Sequence, residues 1–273
     1  TVCQLWNDNI DGMRATATPS GGGIDNLNQA YDGEAQIGIA NANLVYQAQE
    51  GLASFEGYAN ENVRIFAGLY LNPNQVVVTK ESGINGLADL VGKRISIGAA
   101  GSTTVDEAIV HLSLEGKTLD DVRAEYMDTS AAADAMSNKL LDGVWVMAGT
   151  PNSAVTQIMT TTDSKIMPIT AEEVEALKAE YPWYAACEIP AGTYAGQDEA
   201  VPTSGVKLTL FITADVDEET VYQMTKVFWE NWDYLCETHA ALKKADPKEA
   251  CNDVAGVAIH DGAARYYKEI GLL

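Results

Sequence analysis

The sequence predicts an α/β protein built in two halves, and three observations carry that prediction. Strand-like and helix-like segments alternate almost from end to end, the pattern of βα units in mainly parallel sheets. Three loops rich in Gly, Ser, Thr and Asn follow strand ends and open helices, where open α/β sheets hold ligands. At 273 residues the chain has room for one large domain or two of roughly 130 residues, each with a proper core.

In chain order, "VCQLWND" reads as the continuation of a helix and "IDNLNQAYDG" as a second helix. "AQIGIAN" (35–41) follows as a buried strand, then "VRIFAGLY" (63–70) and "NQVVVTK" (74–80) as two more. "KRISIGAA" (93–100) is a strand feeding the loop "GAAGSTT", and "TTVDEAIVHLSLEG" is the helix after it, stopped by Gly116. "VRAEYM" (122–127), the Ala-rich helix "SAAADAMSNKLLDG" and the strand "GVWVMAG" (143–149) come next. In "TPNSAVTQIM", Thr150 can cap a helix and Pro151 suits its first turn. "TAEEVEALKAEYPWY" carries a capping box, Thr170 with Glu173. "CEIPAGTYAGQDEAVPTSG" is rich in Gly and Pro and reads as an extended loop, and "VKLTLFIT" (206–213) as a strand. From Asp217 to Lys244 the pattern is that of one long helix, with Val221, Met224, Phe228, Trp232 and Leu235 on a core-facing stripe.

The site-like loops are 19–26 ("PSGGGIDN"), 98–105 and 148–153 ("AGTPNS"). They suggest a cleft between two α/β halves. The glycines of "GAAGSTT" do not make a nucleotide loop: no lysine follows Gly101, and the Gly-x-Gly-x-x-Gly spacing is absent. A tight strand-to-helix turn and an anion site on free backbone N–H groups both fit this stretch.

Charge narrows the partners. Seventeen Lys and Arg stand against 39 Asp and Glu, a net −22, which argues against nucleic acid and anionic membrane. The acids are scattered, as on a solvated acidic surface suited to salty surroundings. The longest apolar run, 144–148, is too short to span a bilayer. The chain opens without a basic and an apolar leader region, as a cytoplasmic or a mature secreted chain would. Cys3, Cys187, Cys236 and Cys251 show no Cys-x-x-Cys spacing, and His111, His239 and His260 are far apart, so the sequence offers no metal site. The site-like loops also lack the Cys, His or Lys pairings of catalysis. A regulator would need a DNA-binding helix pair, and none is visible.

Several longer stretches resemble one family. "PSGGGIDNL", "AQIGIANAN", "KESGINGLADLVGKRISIGAAGST", "YPWYAACEIPAGTYAGQDEAVPTSGV" and "HDGAARYYKE" occur in the order of the motifs of TAXI-type substrate-binding proteins of TRAP transporters. The sequence departs from those motifs at Asn41-Ala42-Asn43 and at Ser102-Thr103, and lacks the family's opening strand and glycine-rich loop. A first strand upstream of Thr1 is therefore expected.

The resemblance implies a two-lobed periplasmic-binding-protein-like fold of type II with two crossings and a ligand cleft between the lobes. Lobe I would comprise 1–77 with 206–273, the latter including a helix that buttresses the hinge, and lobe II 78–205. It implies an extracytoplasmic receptor, not an enzyme, that captures a small carboxylate such as glutamate or 2-oxoglutarate and delivers it to TRAP membrane subunits. No cofactor or metal and a monomeric state are expected; an enzyme on the same fold is the alternative. The expected ligand set is Gly22, Gly23, Asn41, Asn43, Gly101, Ser102, Thr103, Thr104, Gly149, Thr150, Pro151, Asn152 and Tyr194, with "GAAGSTT" on the carboxylate. Tyr194 can line the cleft or pin its own loop. A disulfide between Cys236 and Cys251 is expected where a helix end meets the following loop, in a compartment that permits oxidation.

Overall fold

The computed structural model describes residues 1–100 and 102–273. Its elements are α1 (Val2–Asn9), α2 (Gly23–Tyr31), β1 (Ile37–Asn41), α3 (Ala42–Glu50), β2 (Val63–Thr79), β3 (Arg94–Ser96), α4 (Thr103–Ser113), β4 (Arg123–Glu125) and α5 (Thr129–Ser137). There follow β5 (Gly143–Met147), α6 (Ser153–Thr161), β6 (Ser164–Met167), α7 (Ala171–Glu180), β7 (Tyr184–Ile189), β8 (Val201–Thr213), α8 (Glu218–Glu230), α9 (Trp232–Thr238) and α10 (Asp261–Glu269). The fold is α/β, and the chain divides into two compact units: Thr1–Leu71 with Val206–Leu273, and Asn72–Gly205.

In the first unit β1 runs antiparallel to β8, with Ile39 opposite Leu210. Its core is aromatic. Trp6 and Phe228 each meet Phe66 edge-on at 5.8 Å, the geometry that ring quadrupoles favour. The polar tips are satisfied: Trp6 Nε1 donates to the Met224 carbonyl, and the Tyr267 hydroxyl accepts from Trp229 Nε1 and donates to the Phe66 carbonyl. Gly262 lets α10 lie directly on α8, since a methyl there would stand 2.2 Å from the Glu218 carbonyl oxygen.

In the second unit β3 pairs in parallel with β4 and β5, whereas β2 is antiparallel to β5 and β6. The expectation of mainly parallel sheets therefore fails. β2 is one of the two strands that carry the chain between units, and it lies between β5 and β6, antiparallel to both, which makes the sheet a mixed one. The core is aliphatic, with Val77, Val144, Val146, Val155 and Ile158 packed against the alanines of α5.

Three further expectations are corrected. The strands at 63–70 and 74–80 are one strand that runs through Pro73, a residue that fits extended backbone at the loss of one donor. The Gly- and Pro-rich "loop" contains the end of β7 and the start of β8; Thr203 Oγ1 donates to the Asn74 carbonyl at 2.6 Å, and the Pro202 carbonyl accepts from Ile169 N–H. The long helix after Asp217 breaks at Asn231, whose side chain competes for the Val227 carbonyl, so α8 and α9 are separate. The apolar stripe nevertheless packs into the first unit's core as predicted.

Candidate functional site

The first N–H groups of a helix have no carbonyl partner within it, and a side chain at the N-cap normally takes them up. Asp128, Asn152, Thr170, Asp217 and His260 do this for α5, α6, α7, α8 and α10. Gly22, Asn41 and Ser102, at the starts of α2, α3 and α4, make no such bond. Thr1 and Asn231 make none either, but α9 follows α8 through Asn231 alone. Two of the three loops singled out in the sequence thus open uncapped helices. The third does not.

In the first unit the uncapped ends of α2 and α3 lie side by side. A methyl at Gly23 would meet Leu44 Cδ1 at 2.9 Å and Ala40 Cβ at 3.3 Å, so the glycine leaves room for Leu44 as it stands. Gly22, at φ +124°, turns the chain into α2. Asp25, in the first turn of α2, accepts from Gly21 N–H at 2.8 Å and places a negative charge there. α3 has no acid in its first turn. Asn43 sits there, buried, and its Oδ1 has no hydrogen-bond partner among the described residues.

In the second unit, Gly98 at φ +91° packs so closely on the α4 start that a Cβ would stand 2.6 Å from Ser102 Oγ. Ser102 Oγ is itself buried and has no hydrogen-bond partner among the described residues, and Thr103 and Thr104, half-buried, are the first residues of α4. Gly101 lies outside the described residues.

The "AGTPN" turn departs from expectation. Asn152, not Thr150, is the cap: its Oδ1 accepts from the N–H groups of Ala154 and Val155, and Gly149, Thr150 and Pro151 precede it with a cis Thr150–Pro151 peptide. The α6 N-terminus is therefore already occupied by its own chain. Tyr194 is buried against this turn; its hydroxyl accepts from Asn152 N–H at 2.8 Å and donates to Gln75 Oε1. Of the two roles open to Tyr194, the geometry is that of a pin. The loop before it is in turn held by Gln197, whose amide donates to the carbonyls of Ile189, Pro190 and Glu199.

Sequence reading missed a polar cluster in the same unit. On α4, Glu107 and His111 are wholly buried one turn apart. Glu107 Oε2 accepts from Asn74 Nδ2 at 2.7 Å and from the Tyr184 hydroxyl at 3.0 Å. His111 Nδ1 lies 2.7 Å from the Glu107 main-chain carbonyl, so Nδ1 carries the proton and Nε2 accepts from Ser204 Oγ at 2.7 Å. Asn74 Nδ2 also donates to Ser204, and Asn74 Oδ1 accepts from Trp145 Nε1. Burial pushes the Glu107 carboxyl up to about 7 and His111 down to about 4, against opposing hydrogen bonds. The only signal in the sequence was the i, i+4 spacing of the two.

Ser204, His111 and Glu107 have the residue types of a catalytic triad but not its arrangement. His111 is oriented by a main-chain carbonyl instead of a carboxylate, and no member is more than 1% exposed. A substrate cannot reach the serine, and a triad is recognised by geometry and role.

The cysteines correct a second expectation. All four are free thiols, and the Cys236–Cys251 pair is not formed. Cys251 packs into the first unit's aromatic core, where burial pushes its thiol up to about 11, whereas Cys236 rides on α9 beside Asp233 and Lys243. Among the described residues no group of three or more His, Cys, Asp or Glu could hold a metal ion, and no helix is long and apolar enough to cross a membrane.

Several solved structures share this fold. The protein XAC2383 from Xanthomonas citri bound to ATP aligns at 9% identity and TM-score 0.56, over 98% of this chain and 92% of its own. PhnD1 from Prochlorococcus marinus in complex with methylphosphonate aligns at 11% identity and TM-score 0.53, over 99% and 91%. The periplasmic aliphatic sulphonate binding protein SsuA from Escherichia coli aligns at 11% and 0.53, over 89% and 77%. At such identities the likeness establishes architecture, that of periplasmic binding proteins. The sequence itself goes further: the profile of the NMT1-like family matches residues 1–271, and the chain belongs to that family.

Proposed function

We propose that this protein is an extracytoplasmic solute-binding receptor of the TAXI type, which takes up a small carboxylate and passes it to TRAP membrane subunits. One observation carries the reading: α2, α3 and α4 start without side-chain caps, while α5, α6, α7, α8 and α10 close their own first turns. Uncapped helix starts are donors left for an anion. One protein of the same fold is named as an aliphatic sulphonate binding protein and another is in complex with methylphosphonate, solutes with anionic heads. The TRAP partner rests on the motif resemblance of the sequence.

A carboxylate suits these donors better than a phosphate. Phosphate normally recruits Lys or Arg, and loops 19–26, 98–105 and 148–153 contain neither. A hydrogen bond to a charged group contributes roughly 1.5–3 kcal/mol and a helix N-terminus about 0.3–2 kcal/mol. Three or four such bonds with one helix N-terminus sum to about 5–14 kcal/mol before association costs, against about −8 kcal/mol for micromolar binding. The donors of this reading are, in the first unit, the first-turn N–H groups of α3 and, in the second, those of α4 with the hydroxyls of Ser102, Thr103 and Thr104. Tyr194 and Asn152 act by fixing the turn beside α6.

Calorimetry with glutamate, 2-oxoglutarate, an alkanesulfonate and methylphosphonate tests this. Tightest binding of a carboxylate, weakened about tenfold or more by Thr103→Ala or Ser102→Ala, is the expected result. Tightest binding of a sulfonate or phosphonate would replace the carboxylate, and steady turnover of any of the four would replace the receptor with an enzyme.

A further inference from the structure

The buried cluster on α4 sits where the chain enters and leaves the second unit. Asn74 lies two residues after that unit begins at Asn72, and Ser204 one residue before it ends at Gly205. Both are fully buried, both are held to α4 through Glu107 and His111, and Thr203 Oγ1 adds a bond to the Asn74 carbonyl. The two passing strands and one helix thus share a single hydrogen-bonded knot. We propose that Glu107 is a protonation switch within it: its neutral form binds α4 to β2 and β8, and its ionised form loosens that hold.

The surroundings give ionisation no relief. On α4 itself stand Asp106, whose charge opposes a second anion, and His111, kept neutral by burial. β7 presents the Tyr184 hydroxyl, β2 the neutral Asn74, and β5 Trp145. The turns at 87–90 and 119–121 that pack on α4 carry only acids, Asp89, Asp120 and Asp121. No Lys or Arg pairs with Glu107 among the described residues; its one ionic neighbour is His111 Nδ1 at 4.0 Å. Two neutral donors do not offset a buried charge, so ionisation draws water into the cluster, and that breaks bonds that now fix Asn74 and Ser204. Burial already places the Glu107 transition near neutral pH. Because α4 also carries Thr103 and Thr104, the switch would reach the solute site; that consequence, unlike the switch, rests on the receptor reading.

Hydrogen exchange of the ligand-free protein tests the proposal. After correction for intrinsic rates, protection of amides 107–113 should fall about tenfold between pH 6 and pH 8.5 in the wild type. It should stay at the pH 6 level throughout in Glu107→Gln, which keeps both hydrogen bonds without the charge. Constant wild-type protection, or the same fall in the variant, overturns the switch. Tyr184→Phe is the second test: losing a donor to the carboxylate should move the midpoint to higher pH, whereas a merely structural loss lowers protection at every pH and leaves the midpoint in place. Calorimetry with 2-oxoglutarate over the same range should show affinity falling several-fold. Absence of binding at every pH refutes the carboxylate reading alone, since the exchange data still decide the switch.

Discussion

The Ser204 hydroxyl donates to Nε2 of His111 over 2.7 Å, and the other ring nitrogen is committed to the main-chain carbonyl of Glu107 one turn back. With both nitrogens engaged and no solvent contact, the ring has no place for a second proton, and burial pushes it down to about 4. Glu107, buried beside it, moves the other way, to about 7. A depressed histidine contributes stability that is present above its unfolded value near 6.5 and is lost as pH falls through about 4. A raised carboxyl contributes stability that is present below about 4.5 and is lost as pH rises through about 7. The slopes oppose each other between about pH 4.5 and 6.5. Thermal melts of the wild type should therefore be nearly flat in that window, those of Glu107→Gln should rise with pH, and those of His111→Gln should fall. Parallel curves for all three would show that neither group is shifted.

Capping separates structure from function at two serine and asparagine positions. Asn152 closes α6 by accepting from two N–H groups, so Asn152→Ala should cost about 1 kcal/mol of stability. Ser102 occupies the equivalent place on α4 without a capping bond. Ser102→Ala should leave the melting temperature within about 1 °C, near the usual ±0.5 kcal/mol of a neutral change, while weakening solute binding. A stability loss equal to that of Asn152→Ala would make Ser102 a cap and remove it from the site.

This contrast also shows what was legible in the sequence. Gly22, Ser102 and Asn152 all lie in Gly-, Ser- or Asn-rich turns that open helices, and local composition finds every such turn. It does not reveal whether the cap residue's own side chain folds back on the helix. The stripe from Val221 to Leu235 was legible because packing repeats with the helical period. The break at Asn231 was not, since one competing side-chain bond does not disturb that period. The antiparallel sense of β2 depends on where the chain crosses between units, and the cluster around Glu107 joins positions 74, 107, 111, 145, 184 and 204, a coincidence in space with no local signature.

Gly262 should be intolerant of any side chain. A methyl there would lie 2.2 Å from the Glu218 carbonyl oxygen and 2.7 Å from the Tyr222 nitrogen, both main-chain atoms that cannot rotate away. Gly262→Ala should force α10 off α8 and cost about 1–3 kcal/mol or more, the usual range for overpacking. Denaturant midpoints measure it. An unchanged midpoint would mean that α10 can shift freely.

The thiols should be unreactive in the native state. Burial pushes Cys187 up to about 12 and Cys251 up to about 11, and the thiolate is the reactive form. Alkylation at pH 8 should label these two slowly, then all four cysteines in denaturant. Peptide mapping without reductant should show Cys236 and Cys251 unlinked. Rapid native labelling of Cys251 would contradict its place in the aromatic core.

Salt should stabilise the fold. The charge of −22 comes from 39 acids against 17 bases, and self-repulsion of that size opposes compaction. The ion pairs that salt would weaken are few and mostly exposed: Lys80–Asp163, Arg94–Asp142, Lys226–Glu230, and Arg265 with Glu218 and Glu219. Such pairs are worth about 0–1 kcal/mol each, and beyond them Lys207 is drawn to Asp253, Glu249 and Asp246. Between about 0.01 and 0.15 M salt the screening length falls from about 30 to about 8 Å, a range in which distant repulsion is removed before close pairs are. Repulsion therefore loses more than attraction does. The melting temperature should rise by several degrees across this range in sodium chloride, at about 2–4 °C per kcal/mol for a chain of this class. Sucrose of equal osmolality should not reproduce the rise at these low concentrations. A fall would show that the ion pairs outweigh the repulsion among the acids.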